Sequence, residues 1–504
     1  MSTAAKTLCV ACIIALLGAS LDAQEFENPK AGRPPRAKPA RQSGGESMPP
    51  LPLPATPLRR SEKKRQPSEP ALVGMINFSQ MVASVSDGKR VEQPAFPTTA
   101  IDIERLVRFA NDRLKVRYRH MGLTLERFSY DPQELPILYL TGWKPMPNLN
   151  DAIIDRLRRY LYDGGTLVIH AQCGRPEFVS SARVQIARIL PNRRLAPLDT
   201  DSPLFNAFAP IKEMRFREDD KPFRTMPPYL EAVFLGCRPA IIFSPIDLNC
   251  GWDVVNNPIQ GGLLYHQDDA LALGLNIITT TLANFQYARQ WGSQKVFVEA
   301  QEASRDRLVI AQVVHDGDWD PTPHALPNLM KLIQSQTTLN VQFKREVVNL
   351  GDVDVFKNPV LYMTGLRDFK LSEGDAERLR KYLTSGGVLI ADAAAGSRSF
   401  DVAFRREFHR VLGEELTVLD PTSEVFQTPH RISGVHYTPL VQAKNQINAP
   451  LLEGAIIDGH LAIIYSPLSL SNGWEQLGFA YNRGYSDGDA LRLGVNIFAY
   501  ALMH

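Results

Sequence analysis

An excess of charge of one sign is what this sequence most plainly lacks. Lys and Arg number 56 against 54 Asp and Glu, a formal net charge of +2. That is too small to make nucleic acid or a strongly acidic polymer the expected partner. Long apolar runs are missing too. The stretch from Leu8 to Leu17 spans about 10 residues where a membrane helix needs about 20, so no span is expected once that segment is removed. Cysteine is scarce, at 5 in 504 residues, and Cys9 and Cys12 fall inside that same stretch. The remaining Cys173, Cys237 and Cys250 are odd in number, which excludes complete pairing within one chain. No cofactor motif and no diagnostic metal-ligand spacing is present, so no cofactor and no metal is expected.

What the N-terminus does have is one early lysine, the short apolar stretch, and Ala23 before Gln24. This reads as a cleavable secretory signal over residues 1–23, with a periplasmic or secreted bacterial destination. Retention as an anchor is the alternative. Residues 24–70 are rich in Pro and basic side chains without hydrophobic periodicity, the composition of a tether that cannot bury enough apolar surface to offset chain entropy.

Beyond Pro70 the sequence repeats itself. "LYLTG" at Leu138 returns as "LYMTG" at Leu361, and "LRRYLYDGGTLVIHAQCG" at Leu157 as "LRKYLTSGGVLIADAAAG" at Leu379. "AIIFSPIDLNCGW" at Ala240 returns as "AIIYSPLSLSNGW" at Ala462, and "DALALGLNI" at Asp269 as "DALRLGVNI" at Asp489. The offsets stay between 220 and 223 residues, a domain-sized period. We therefore assign a first repeat to 71–293 and a second to 306–504.

Within each repeat short apolar runs alternate with amphipathic segments. "PVLYMTG" predicts a strand, "SEGDAERLRKYLTSGG" a helix started by Ser372 with Asp375 and stopped at Gly386 and Gly387, and "VLIADA" a strand apolar on both faces. That rhythm predicts α/β architecture, two tandem flavodoxin-like domains with mostly parallel sheets flanked by helices. Ligands in such sheets collect beyond the carboxyl ends of the strands. Trp252 and Trp474 read as plugs on the core, Asp269 and Asp489 as helix N-caps, and Asn276 and Asn496 as bonds to neighbouring backbone.

With "VVHDGDWDP" at Val313, "LPNLMKLIQ", "LYMTG", "AFRREF", "IIYSP" and "LGVNIFAYAL", the second repeat resembles a bacterial family termed domain of unknown function number 4159 (DUF4159). The resemblance runs over nearly everything after Pro70. It implies the fold of class I glutamine amidotransferases and their trehalose-utilisation-like relatives, and no agreed reaction. The first repeat departs from the pattern, since nothing in "LVGMINFSQMVASVSDG" matches Asp316-Gly317-Asp318-Trp319.

Two candidate sites follow. Cys173 sits where an amidotransferase-like nucleophile belongs, on a strand-to-helix turn. Yet "HAQCGRPEF" lacks the Gly-x-Cys-x-Gly spacing, and His266 is followed two residues on by Asp268 where the amidotransferase pattern has Glu. Ala395 occupies the corresponding place in the second repeat. Cys173 with Cys250 is the plausible intradomain disulfide, because Cys237 precedes its strand and belongs at the opposite edge. The second candidate is a set of polar residues on loops expected at one sheet edge: His315, Asp316, Asp318 and Trp319, then Arg367 and Asp368, then Asp392. Carboxylates, an arginine and an aromatic face suit a polar small ligand such as a carbohydrate. The same residues are open to a structural role as caps and fillers. The expected function is a non-catalytic envelope scaffold that binds such a ligand or an envelope protein. The alternative is a hydrolase or amidase using Cys173 or the acidic loop.

Overall fold

The computed structural model describes residues 69–76, 81–86, 89–94, 101–253, 262–291, 310–336, 345–444, 448–476 and 478–503. The signal segment and nearly all of the tether lie outside them, as does the boundary between the repeats at 292–309.

The first repeat builds a seven-stranded sheet from β1 (Ala71–Ile76), β2 (Arg119–Leu123), β3 (Ile137–Gly142), β4 (Thr166–Ala171), β5 (Ala196–Pro197), β6 (Glu231–Leu235) and β7 (Arg238–Ser244). The second uses β8 (Ala311–Val313), β9 (Glu346–Val348), β10 (Val360–Gly365), β11 (Val388–Ala393), β12 (Thr417–Val418), β13 (Glu453–Ile457) and β14 (His460–Ser466). The orders are β2-β1-β3-β4-β7-β6-β5 and β9-β8-β10-β11-β14-β13-β12, the same permutation twice. In each, five strands pair in parallel, and one further strand, β6 or β13, pairs antiparallel both with the last of them and with the edge strand β5 or β12. The register repeats as well. Ile137 faces Thr166 and Gly142 faces Ala171 in one sheet, as Val360 faces Val388 and Gly365 faces Ala393 in the other.

The central strands are apolar on both faces because helices cover both. In the first repeat α1 (Asp102–Leu114) and, from further along, α5 (Gln267–Trp291) cover one side, and α2 (Asp151–Tyr162) with α3 (Pro176–Ile189) the other. A short α4 (Asn249–Asp253) follows β7. In the second repeat α6 (Ala325–Gln336) and α10 (Asp487–Met503) pair on one face, α7 (Glu373–Thr384) and α8 (Arg398–Leu412) on the other, and a short α9 (Ser471–Glu475) follows β14. Among the described residues no helix is long and apolar enough to cross a membrane.

The punctuation read from sequence is in place. The Ser372 hydroxyl accepts the Asp375 amide at 3.1 Å and starts α7. Gly386 takes φ +94° beyond its end, whereas Gly387 is needed for closeness, since a Cβ there would stand 2.3 Å from the Tyr382 ring. Trp252 and Trp474 are buried, and each donates its indole N–H to the carbonyl of Ala270 or Ala490, at 2.8 and 2.7 Å.

Asp269 and Asp489 are not N-caps. They sit inside the first turn of α5 and α10, and each reaches outward to a loop amide, that of Arg215 at 2.6 Å or His436 at 2.7 Å. Asn276 and Asn496 likewise clamp loops: Asn276 bonds the backbone of Phe208 and Ala209, and Asn496 that of Val425 and His430. Their position on a final helix invites a capping reading, but the loops they hold are more than fifty residues away in sequence.

Candidate functional site

Each repeat carries a buried polar cluster under the carboxyl edge of its sheet, built by equivalent positions filled with different chemistry. In the second repeat Asp392, at the end of β11, is fully buried. It accepts the Tyr362 phenol at 2.8 Å, the Leu470 and Ser471 amides at 2.9 Å each, and the Ser471 hydroxyl at 2.8 Å. In the first repeat His170 takes its place, with Nε2 at 2.5 Å from the Tyr139 phenol, which also donates to Asp102 at 3.1 Å. Burial, opposed by Asp247, lowers the His170 pKa to about 4, so the ring is neutral.

The next residues form a tight turn with left-handed backbone, Cys173 at φ 52° and Ala395 at φ 52°. A side chain beyond the last parallel strand holds each turn's amide: Asp247, in the loop before α4, for Cys173, and Asn472, within α9, for Ala395 at 2.8 Å. A left-handed turn therefore forms without the Gly-x-Cys-x-Gly spacing. The environment of Cys173 is nonetheless wrong for a nucleophile. The sulfur is buried beside Asp247 and Cys250, and a neighbouring carboxylate opposes thiolate formation. The histidine three residues earlier is committed to Tyr139.

The acidic loop lies beyond β8, at the point where strand order reverses and ligands of such folds collect. Here that crevice is sealed. The Gly317 carbonyl accepts the amides of Leu366 and Arg367 at 3.0 Å each. Beneath it His315 is saturated, its Nε2 donating to the Thr364 carbonyl at 2.9 Å and its Nδ1 accepting the Gly317 amide at 3.0 Å. Burial lowers its pKa to about 4. Asp316 is exposed, and Asp368 pairs with Arg406 at 2.8 Å on the surface. Trp319 lies under the Arg345 guanidinium, 5.4 Å from the ring centre.

Asp318 and Arg367 do come together, but against the first repeat. Asp318 stands 3.5 Å from Arg193, and Arg367 donates to the Ala232 carbonyl at 3.2 Å while lying over the Phe234 ring. Burial raises the Asp318 pKa against the pull of Arg193 and Arg367. The turn joining β6 to β7 completes this contact. The buried Cys237 thiol donates to Asn472 at 3.3 Å, and burial pushes its pKa up. Of the seven residues expected in one pocket, the structure thus places Asp318 and Arg367 in the contact between repeats, His315 beneath it, Asp392 in the separate buried cluster, and Asp316, Trp319 and Asp368 on other surroundings.

Another cavity is open. It holds about 210 Å³ and is lined by Tyr437, Thr438, Asn472, Phe479, Asn482, Ser486 and Asp487 of the second repeat and Tyr287 of α5 in the first. Asp487 makes no hydrogen bond or ion pair among the described residues, and burial raises its pKa to about 6. Sequence reading missed this cavity, because its wall joins a loop before α10 to a helix of the other repeat. "YNRGYSDGD", a polar stretch just before an apolar helix, was the available signal.

The family model for Domain of unknown function (DUF4159) matches residues 97–282 and 309–502. The chain belongs to this family. It carries two DUF4159 copies in tandem, each a seven-stranded, mostly parallel sheet flanked by helices. No curated protein matches the sequence. Among solved structures, a protein provisionally named a phosphosugar isomerase from Silicibacter pomeroyi DSS-3 aligns at 10% identity. That alignment covers 64% of this chain and 75% of that one with a TM-score of 0.14, too low to carry an argument.

Proposed function

We propose that this tandem DUF4159 protein is a non-catalytic binding scaffold of the cell envelope, taking a sugar or polyol in the cavity between α5 and the second copy. One observation carries the reading. Asp487 lines a cavity of about 210 Å³ with a carboxyl group that no described protein donor satisfies. A hydroxyl-rich ligand supplies such donors, and Tyr287, Tyr437 and Phe479 offer ring faces beside it. The cavity is below the roughly 300–1,000 Å³ of drug-sized sites, which favours a ligand of about one sugar ring. Support for a binder over an amidase comes from Cys173, whose sulfur lies against a carboxylate and whose nearest histidine in sequence is neutral and engaged. Support for the envelope comes from the lysine, short apolar run and Ala23 at the N-terminus.

The test is calorimetric titration of the full chain with a panel of monosaccharides and polyols. Binding that weakens at least tenfold in both Asp487→Asn and Phe479→Ala, with unchanged melting temperature, is the expected result. Binding indifferent to both substitutions moves the site elsewhere, and hydrolysis of any amide or glycoside by the pure protein overturns the non-catalytic reading.

A further inference from the structure

Three buried groups converge under the carboxyl edge of the first sheet. The sulfurs of Cys173 and Cys250 and a carboxylate oxygen of Asp247 all lie within 4.8 Å of one another. The Cys250 thiol is 3.2 Å from Asp247 Oδ2 and is hydrogen-bonded to the Cys173 thiol. The same carboxylate holds both backbones, accepting the Cys173 amide and, at 3.0 Å, the Cys250 amide.

The second copy shows what the sulfurs are not needed for. Ala395 and Asn472 occupy the two positions, and the Asn472 amide oxygen accepts the Ala395 amide in place of Asp247. The turn keeps the same left-handed backbone, φ 52° in both copies. Both thiols are therefore dispensable to the turn, and the second copy lacks both.

We infer that Cys173 and Cys250 form a disulfide that staples the turn after β4 to α4. Exchange with a small or protein disulfide completes the chemistry. One thiolate attacks the incoming disulfide and releases its first thiolate, and the second cysteine then attacks the mixed disulfide and releases the other. One S–S bond forms as one breaks, two electrons reduce the oxidant, and the two cysteine protons pass to its released thiolates. The strand Leu263–Tyr265 packs over the turn, where a Cβ on Gly174 would stand 2.8 Å from Leu263 Cβ, so exchange precedes closure of that strand during folding.

A divalent cation is the competing occupant of the same three ligands. Two thiolates and a carboxylate leave it with a net negative charge in a buried place, and a closed structural zinc site requires a fourth donor. His170 is held by Tyr139, and the hydrogen bond with Cys173, followed by burial and the Asp247 carboxylate, pushes the Cys250 thiol away from ionisation. A disulfide is neutral and leaves Asp247 its two amide donors. Bringing hydrogen-bonded sulfurs to about 2.05 Å asks for a side-chain rotation, whereas Cys237 is bonded to Asn472 and has no such neighbour among the described residues.

The experiment refolds the full chain in oxidised glutathione, alkylates it in denaturant and maps the peptides by mass spectrometry. The expected result is one dithiothreitol-sensitive Cys173–Cys250 cross-link, with Cys237 alkylated, and a melting temperature that falls by several degrees on reduction. The double variant Cys173→Ala with Cys250→Asn, which copies the second repeat, should melt at one temperature in either buffer. Alkylation of both cysteines after oxidative refolding overturns the inference, and so does stoichiometric zinc by elemental analysis with both thiols intact. Should the double variant fail to fold, the wild-type peptide map decides alone.

Discussion

Tyr362 donates its phenol to Asp392 at 2.8 Å in a place sealed from water, and one repeat earlier the Tyr139 oxygen lies 2.5 Å from His170 Nε2 while its proton goes to Asp102. The tyrosine is constant and its partner is not. Asp392 takes five donors from four residues, the Ser469 hydroxyl included, so its carboxylate ties β11 to the loop that starts α9. Asp392→Ala leaves those donors buried and unpaired, and should lower stability by about 3 kcal/mol or more. Urea unfolding of the full chain measures it. A loss within 1 kcal/mol, about the noise of one surface contact, would mean that the cluster is hydrated and that Asp392 is accessible to a ligand after all.

Acid should destabilise the protein through two histidines. His170 and His315 have folded pKa values near 4 against about 6.5 when unfolded, so between those values the unfolded chain binds more protons. Stability is then full above about pH 7 and is lost as pH falls toward 4, about 2 kcal/mol per histidine at pH 5. Asp487 works the other way, since its pKa of about 6 means that the native state holds a proton the unfolded state releases. Two buried rings outweigh one partly exposed carboxyl. Urea midpoints at pH 7.5 and 5.0 should show the drop, and His170→Gln should reduce it; an unchanged drop would assign it elsewhere.

Duplication, the alternation of strand and helix, and helix stops were legible because they depend on local pattern, and the pattern occurs twice; strand order was not, because it is set by pairings between segments far apart in sequence. "LYLTG" with "LYMTG" marked the same strand in each copy. The acidic loop was placed correctly after β8 and misjudged in its company. Arg193 and Ala232, which face Asp318 and Arg367, belong to the other repeat, and no periodicity within one domain announces a contact with its twin. The sulfur cluster was half legible. Cys173 and Cys250 each follow a strand, but Asp247 stands out only when matched with Ser469.

Gly494 in "LGVNI" is required by the indole that rests on it. A Cβ there would stand 2.7 Å from Trp474 Nε1 and 2.8 Å from Leu329, and Gly274 meets Trp252 at 2.8 Å in the same way. Gly494→Ala forces the indole off its bond to the Ala490 carbonyl and should cost about 1–3 kcal/mol despite the better helix propensity of alanine. Thermal unfolding with tryptophan fluorescence reports both the loss and the moved ring. A stabilised variant would show that α9 shifts freely over α10.

Asp318 separates the two readings of the acidic loop most cleanly. Its folded pKa lies above the ordinary value, so burial disfavours the carboxylate by more than Arg193 and Arg367 favour it. The sign is that of a group whose native state prefers the proton: its unfavourable contribution is present at neutral pH and vanishes as pH falls through its folded pKa. Asp318→Asn keeps the shape and removes the charge. It should change stability at pH 7 by less than about 1 kcal/mol, toward a gain, and that gain should shrink at pH 4. Because Asp318 does not line the 210 Å³ cavity, the variant should bind sugars and polyols as the parent does. Urea midpoints at the two pH values and one titration suffice. Retained stability with abolished binding would instead place the ligand on the acidic loop, with Arg193 and Arg367 opening away from each other to admit it.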